Sequence, residues 1–305
     1  MDARPSPGAI ERRDPSTDRF EATAGIHRLD RSPSAAEKGT VPFSDEMIEL
    51  GDRRLRVRRL HPARDDGFDR TVLVFLHEGL GCIEMWRDFP QRLCDATRCT
   101  GIVYDRTGYG KSSAWPSDPG VRYMEIEADD VLPRLLATLG VEDCVLVGHS
   151  DGGTIALNYA ATDPEPLRAV VTLAAHAINE PVCVEAIARA RAAFAAGDLR
   201  QKLAKYHGDN VDGAFRLWSD AWVAPGFEPM DADGRLPGVL VPVQAIQGED
   251  DEYGSELQLG IIAGKVGGYC ETRLVPDCGH SPHLQQPAYV LSEITRFISP
   301  LALAG

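Results

Sequence analysis

Residues 144–160 read CVLVGHSDGGTIALNYA, and the middle of this stretch decides the fold. Residues 144–147 form a short apolar run, which is typical of a buried strand. Residues 154–160 combine small and apolar side chains and predict a buried helix. Between them, GHSDG at 148–152 makes a sharp turn with Ser150 at the bend. Side chains beside so tight a turn would collide with the strand and the helix, so the flanking glycines have a steric reason. A strained turn of this kind holds a serine hydroxyl above a sheet, where it can act as a nucleophile.

Strands and helices alternate on both sides of this stretch. The predicted strands lie at residues 47–50, 55–60, 71–76, 101–104, 144–147, 169–173, 241–247 and 271–275. The predicted helices lie around residues 86–94 and at 124–139, 154–160, 187–196, 201–206, 214–222, 256–266 and 288–298. Strands that alternate with helices require a mostly parallel sheet with right-handed crossovers. The sequence therefore predicts an α/β fold with a central sheet flanked by helices.

The chain divides into three kinds of segment. Residues 1–40 are rich in Pro, Ser, Arg and Asp without a sustained period, which favours a disordered leader or an over-long translation start. Residues 41–175 and 239–305 carry the alternating pattern and form the predicted core. Residues 176–238 contain three predicted helices and no strand. We expect this segment to be a helical cap over one end of the sheet, with aromatic side chains forming the roof of a pocket.

Composition excludes several classes of partner. The chain has 305 residues, 43% of them hydrophobic and 26% charged, as in ordinary soluble globular proteins. The formal net charge of −14 argues against binding to nucleic acid or to an anionic membrane surface. No apolar run approaches the roughly 18–20 residues of a membrane span, and the first residues lack the apolar region of a secretory signal. We expect a cytoplasmic protein whose partner is a small-molecule acyl substrate; monomer and homodimer both remain open.

The cysteines and histidines indicate neither disulfides nor a metal site. There are seven cysteines, an odd number, with no CxxC spacing, so reduced thiols are expected. No HExxH motif occurs. Gly108 and Gly110 lie at a turn after a strand and do not open a dinucleotide-binding helix. The sequence predicts no metal and no cofactor.

Two further segments supply the groups that a nucleophilic serine needs. A serine hydroxyl reacts only when a base takes its proton and a third group orients that base. On an α/β sheet the acid and the histidine follow the serine in that order, each after a later strand. Asp251 lies three residues beyond Gly248, at the end of a predicted strand, and His280 follows the last strand. The sequence thus predicts the catalytic triad Ser150, Asp251 and His280.

Three neighbouring residues compete with these assignments. Asp250 is an alternative acid, although the spacing after Gly248 favours Asp251. His283 is an alternative base, but it follows a proline and is expected to have a structural role. His149 precedes the nucleophile and is expected to form part of the pocket wall or a core contact.

The oxyanion hole requires two backbone N–H groups. Asp151 follows the nucleophile at the start of a helix and is expected to give the first. The second is expected from Gly79 or Leu80 in the loop after residues 71–76, with Gly79 favoured by position. The Asp151 carboxylate has two interpretations, either complementing the helix dipole or anchoring a cationic substrate group. Cys82, near this loop, is expected to be an unreactive packing residue.

Residues from about 45 to 300 resemble the α/β-hydrolase superfamily. LHEGLG (76–81), YDRTGYGKS (104–112), GHSDGG (148–153), IQGEDDEYG (246–254) and CGHSPH (278–283) occupy the positions of its oxyanion loop, post-strand turn, nucleophile elbow, acid loop and histidine loop. The elbow is similar to that of the biphenyl-hydrolase-like (valacyclovir hydrolase) group, in which the acid after the nucleophile helps to bind an amino group. The chain differs from that group at His149 and in its insertion. The resemblance implies a serine hydrolase in which Asp151 contacts the substrate. From their places in the chain, His149, Trp218 and Trp222 are further candidate substrate-binding residues.

The leading functional hypothesis is hydrolysis of a small or medium carboxylic ester, thioester or lactone. The acyl-enzyme would form on Ser150, with His280 as general base and acid oriented by Asp251. An alternative enzyme with the same groups is a carbon–carbon hydrolase of ring-cleavage diketones. A hypothesis of another class is a non-hydrolytic ligand-binding protein or a cofactor-free oxidoreductase on the same fold.

Overall fold

The computed structural model describes residues 43–64 and 71–302, so the predicted leader lies outside the described residues. Eight strands form one sheet: β1 (Phe43–Leu50), β2 (Arg53–Leu60), β3 (Val72–Leu76), β4 (Gly101–Tyr104), β5 (Cys144–His149), β6 (Leu167–Leu173), β7 (Val243–Gly248) and β8 (Cys270–Val275). Their order is β1-β2-β4-β3-β5-β6-β7-β8. β2 is antiparallel to β1 and β4, and every other neighbouring pair is parallel. This sheet confirms the predicted fold class.

Helices cover both faces of the sheet and its end. They are α1 (Phe89–Thr97), α2 (Tyr123–Ile126), α3 (Leu132–Leu139), α4 (Asp151–Ala160), α5 (Pro181–Ala196), α6 (Leu199–His207), α7 (Val211–Trp222), α8 (Ala232–Arg235), α9 (Leu257–Lys265), α10 (Pro282–Gln285) and α11 (Pro287–Ala302). Short 3₁₀ turns occur at Ile83–Trp86, Gly120–Arg122, Gly208–Asn210 and Leu236–Gly238. No helix of the described residues is both long enough and apolar enough to cross a membrane.

The central strand β5 is apolar from Cys144 to Gly148. All six of its residues are buried, because helices cover the sheet on both sides. Its side chains alternate between two cores. Leu146 packs into the core that includes α4, whereas Val145 and Val147 pack into the core with α1 and α11. β5 is therefore a fixed base for the turn that follows it.

The predicted helix over residues 124–139 is not regular, which corrects the sequence-based expectation. α2 and α3 are separated by a π-helical turn at Glu127–Val131. Pro133 stands in the first turn of α3 and has no N–H to donate to the preceding turn. A π turn accommodates this break while the chain stays helical. The turn brings Glu127 into the interior, where its side chain is fully buried.

Helices α5 to α8 lie between β6 and β7, and none of the described residues in between forms a strand. Two side chains attach this insertion to loops at the end of the sheet. His207 at the end of α6 accepts a bond from the Gly110 N–H (2.9 Å) and donates to the Leu80 carbonyl (2.9 Å). Asn210 donates to the Ser112 carbonyl (2.8 Å). The insertion therefore sits over the predicted oxyanion loop.

Candidate active site

The turn after β5 has the strained geometry that the sequence predicts. Ser150 has φ 52° and ψ −119°, a conformation that residues other than glycine rarely adopt. A Cβ at Gly148 would collide with the backbone of Gly152, and a Cβ at Gly152 would collide with the Leu76 carbonyl of β3. Because backbone occupies both places, the two glycines allow β5 and α4 to meet at the serine.

The crowding at Gly152 predicts a large loss of stability for Gly152→Ala. The Leu76 carbonyl belongs to a central strand and cannot move aside, so we expect the free energy of unfolding to fall by about 3 kcal/mol. Urea denaturation measures this change. Gly264→Ala is the matched control, because Gly264 lies in α9 with no atom within 4 Å of an added Cβ. The control should gain up to about 1 kcal/mol from helix propensity. Equal stability of the two variants would contradict the steric account.

His280 and Asp251 are in direct contact. The Nδ1 atom of His280 lies 2.9 Å from both carboxylate oxygens of Asp251. Because a carboxylate only accepts, Nδ1 carries the proton and donates, which leaves Nε2 as the basic atom. Burial by itself lowers the pKa of His280, but the charge of Asp251 outweighs burial and raises it. This pairing is the orientation that a general base requires.

Asp251 is held as an anion by the loop after β7. Its carboxylate accepts bonds from the Tyr253 N–H (2.8 Å) and the Gln247 side-chain amide (2.5 Å). Burial alone would raise its pKa, but the charge and hydrogen bond of His280, the charge of His176 and the Tyr253 N–H bond outweigh burial and lower it. The alternative acid, Asp250, is exposed. The structure therefore places Asp251, and not Asp250, at the histidine.

The alternative base, His283, is part of the core. Its ring packs against Trp86 (4.8 Å between centroids) and Phe89 (5.5 Å). Burial lowers the pKa of His283 far below its usual value, so its ring is neutral. This environment is the structural role expected from the sequence.

Ser150 and His280 line one cavity below the helical insertion. Its volume is about 40 Å³. The described residues that line it are Glu78, Gly79, Leu80, Ser150, His176, Cys183, Ile187, Trp218, Trp222, Tyr253 and His280. Trp218 and Trp222 thus have the pocket position expected from the sequence. Leu80, Ile187, Trp218, Trp222 and Tyr253 give the wall apolar surface, and Glu78, His176 and His280 give it polar groups.

The two predicted sources of the oxyanion hole lie beside the serine. Gly79 and Leu80 line the cavity, and Asp151 is the first residue of α4. A Cβ at Gly79 would collide with the Trp218 ring. The indole therefore packs directly on the backbone of the loop, and only glycine permits this approach.

The Asp151 carboxylate has partners within the protein. It is fully buried and accepts bonds from the Tyr123 hydroxyl (2.6 Å) and the Trp222 indole (3.3 Å). It also lies 3.6 Å from the Arg106 guanidinium, which is equally buried. Burial raises the pKa of Asp151, against the opposing charge of Arg106. The structure thus shows no free carboxylate here for the predicted cationic substrate group.

His149 connects the two loops that border the serine. Its Nε2 atom donates to the His280 carbonyl (2.7 Å), and its Nδ1 atom lies 3.3 Å from the Glu78 carboxylate. Burial tends to raise the pKa of Glu78, but His149 outweighs burial and lowers it. His149 is not among the described residues that line the cavity. Of the two expected roles, the structure shows the core contact.

His176 is a site residue that the sequence did not indicate. It follows β6, and its Nε2 atom donates to the Tyr253 carbonyl (3.2 Å). Its ring lies 5.0 Å from that of Trp222 and 5.7 Å from that of His280. Burial lowers the pKa of His176 to about 4, so it is a neutral part of the wall. A lone histidine after a strand carries no pattern that would identify it.

Among the described residues, one group has side chains close enough to share a metal ion. Atoms of Cys82, Glu84 and Asp105 lie within 4.8 Å of one another. The Arg56 guanidinium lies 2.6 Å from Glu84 and 3.6 Å from Asp105. The charge of these carboxylates is therefore already compensated by an arginine side chain. Burial raises the pKa of the Cys82 thiol well above its usual value, in keeping with an unreactive packing residue.

The chain matches the family model described as "alpha/beta hydrolase fold" over residues 71–195. It is 29% identical over 150 residues to the sn-1-specific diacylglycerol lipase ABHD11 of Danio rerio, covering 49% of this chain but 41% of that protein. The chain thus spans less than half the length of this relative. It is 28% identical over 261 residues to 2-succinyl-6-hydroxy-2,4-cyclohexadiene-1-carboxylate synthase of Serratia proteamaculans, covering 75% of this chain and 94% of that protein.

Solved structures share the architecture. The proline iminopeptidase of Mycobacterium smegmatis superposes with a TM-score of 0.64 at 20% identity, covering 86% of this chain and 99% of that chain. At this level of identity the likeness shows the fold alone. The sheet, the strained turn and the family match point to the same fold.

Proposed function

We propose that the chain is a serine hydrolase of the α/β-hydrolase superfamily that cleaves a small carboxylic ester, thioester or lactone, and the family match over residues 71–195 supports this proposal. The observation that carries the proposal is the pairing of His280 with Asp251 at the cavity that Ser150 lines. The basic Nε2 atom of His280 takes the Ser150 proton as the hydroxyl attacks the acyl carbon. Backbone N–H groups of Asp151 and Gly79 hold the oxyanion, and the acyl-enzyme is then hydrolysed by water.

The size of the cavity supports a small acyl group. Its volume of about 40 Å³ is small beside the roughly 300–1,000 Å³ of typical ligand pockets. That space suits an acyl group of a few heavy atoms. The roof consists of Cys183, Ile187, Trp218 and Trp222 from α5 and α7. We therefore propose that residues 176–238 act as a cap that sets the size of the acyl group.

A substrate panel tests this proposal. We expect acetyl and butyryl p-nitrophenyl esters to be hydrolysed, with kcat/KM lower by at least about tenfold for the decanoyl ester. Thioesters, lactones and a ring-cleavage diketone belong in the same panel. Cleavage of the diketone alone would replace the proposal with carbon–carbon hydrolysis. Absence of any hydrolysis would overturn the proposal and favour a non-hydrolytic function. The Serratia proteamaculans relative is named as a synthase and not as a hydrolase.

A further inference from the structure

Three hydrogen-bond donors converge on the carbonyl oxygen of Glu78. They are the Nδ1 atom of His77 (2.8 Å), the Nη2 atom of Arg106 (2.9 Å) and the N–H of Gly81 (3.0 Å). This carbonyl belongs to the peptide that joins Glu78 to Gly79. One end of the peptide expected to serve the oxyanion hole is therefore fixed by three separate groups.

Peptide geometry carries the effect of these donors to the other end. No described peptide bond is cis, and in a trans peptide the C=O and N–H bonds point in opposite directions. His77 and Arg106 are fully buried and lie outside the cavity wall, whereas Gly79 lines the cavity with Ser150. Holding the Glu78 carbonyl on the buried side directs the Gly79 N–H towards the cavity.

Arg106 supplies the positive charge at this carbonyl. The backbone N–H of Arg106 donates to His77 Nε2 (3.0 Å), so the His77 proton resides on Nδ1. Burial and the charge of Arg106 lower the pKa of His77 far below its usual value, which keeps the ring neutral. A cation that binds a carbonyl polarises the whole peptide and strengthens its N–H as a donor.

The Arg106 guanidinium also lies near Asp151, whose backbone N–H is the other expected donor of the oxyanion hole. Its Nη2 atom lies 3.6 Å from the carboxylate of Asp151, the residue that follows the nucleophile. The Tyr123 hydroxyl (2.6 Å) and the Trp222 indole (3.3 Å) hold this carboxylate in place. A buried arginine needs such a counter-ion. Arg106 thus connects the loop after β3 with the start of α4.

We propose that Arg106 is a positioning residue that fixes the Gly79 N–H as an oxyanion donor, with the Asp151 side chain as its counter-ion. The inference rests on the proposed serine-hydrolase function. It gives the Asp151 carboxylate a role other than contact with substrate. It also assigns the second donor to Gly79 rather than Leu80.

The double variant Arg106→Met/Asp151→Asn tests the proposal, because it removes the guanidinium and the Asp151 charge together. We expect kcat for a p-nitrophenyl ester to fall roughly 10- to 100-fold, with KM little changed. Hydrolysis of the matching thionoester should fall much less, since its developing charge lies on sulfur, a weak hydrogen-bond acceptor. The ratio of ester to thionoester rates should therefore fall about tenfold or more. A merely structural role would lower both rates alike.

The matched control is Arg200→Met/Asp212→Asn, which removes an exposed ion pair on the insertion and should keep the wild-type ratio. Circular dichroism gives the folded fraction for each protein. An unchanged ratio of ester to thionoester rates in the double variant would overturn the role of Arg106. A wild-type protein without esterase activity would instead contradict the proposed function.

Discussion

Replacing Ser150 with alanine is expected to lower kcat for ester hydrolysis by about 10⁴- to 10⁶-fold. The hydroxyl forms the covalent bond to the acyl group, and the structure offers no substitute for it at the bend of the turn. His149 precedes it with both ring nitrogens engaged, and the Asp151 carboxylate is held by internal partners. The rate is measured with an acetyl or butyryl p-nitrophenyl ester.

The control for this variant is Ser292→Ala, on the exposed side of α11. It should retain wild-type activity and stability. Binding of a slowly cleaved ester should survive in Ser150→Ala, because the cavity wall is unchanged. Esterase activity within a factor of about ten of wild type would rule out Ser150 as the nucleophile.

Asp251→Asn should reduce kcat by about 10⁴-fold. The neutral amide can present its NH₂ group to His280, which then adopts the tautomer with the proton on Nε2 and cannot accept from Ser150. Asp250→Asn is the matched control, since this adjacent carboxylate is exposed and should contribute little. Equal losses in the two variants would contradict the assignment of the acid.

The pH profile tests the effect of the Asp251 charge on the pKa of His280, separately from its effect on the His280 tautomer. The active form of His280 is neutral, and the charge of Asp251 raises its pKa above the ordinary 6.5. The wild-type kcat/KM should therefore rise with pH through an apparent pKa above 6.5. In Asp251→Asn the missing negative charge lowers the pKa of His280. The rise of kcat/KM with pH should therefore occur at lower pH in this variant than in wild type. An acid limb that stays in place would show that another group controls it.

The sequence predicted the parts of the fold that depend on local pattern. β5 could be predicted because a strand buried on both faces is apolar throughout. The turn at Ser150 could be predicted because backbone crowding at Gly148 and Gly152 admits only glycine. The placement of Asp251 and His280 after later strands followed from chain order on a parallel sheet. These three inferences need no knowledge of distant contacts.

The parts that were missed depend on contacts between distant segments. The sequence predicts Asp151 in the first turn of a helix, where the structure has it, but its neighbours in sequence say nothing of Arg106, Tyr123 or Trp222. The π turn before Pro133 was missed because the apolar period of the helix continues through it. Arg106 lies within a quoted motif, but its role requires the position of the Glu78 carbonyl.

The most direct test of the central claim is intact-protein mass spectrometry after treatment with a fluorophosphonate. The reagent phosphonylates a serine only when a base and an oxyanion hole activate its hydroxyl. Wild type should gain one phosphonyl group, and peptide mapping should place it on Ser150. Ser150→Ala should gain none, and Asp251→Asn should react far more slowly. An unlabelled wild type, or a label on another residue, would contradict the account of Ser150 as an activated nucleophile.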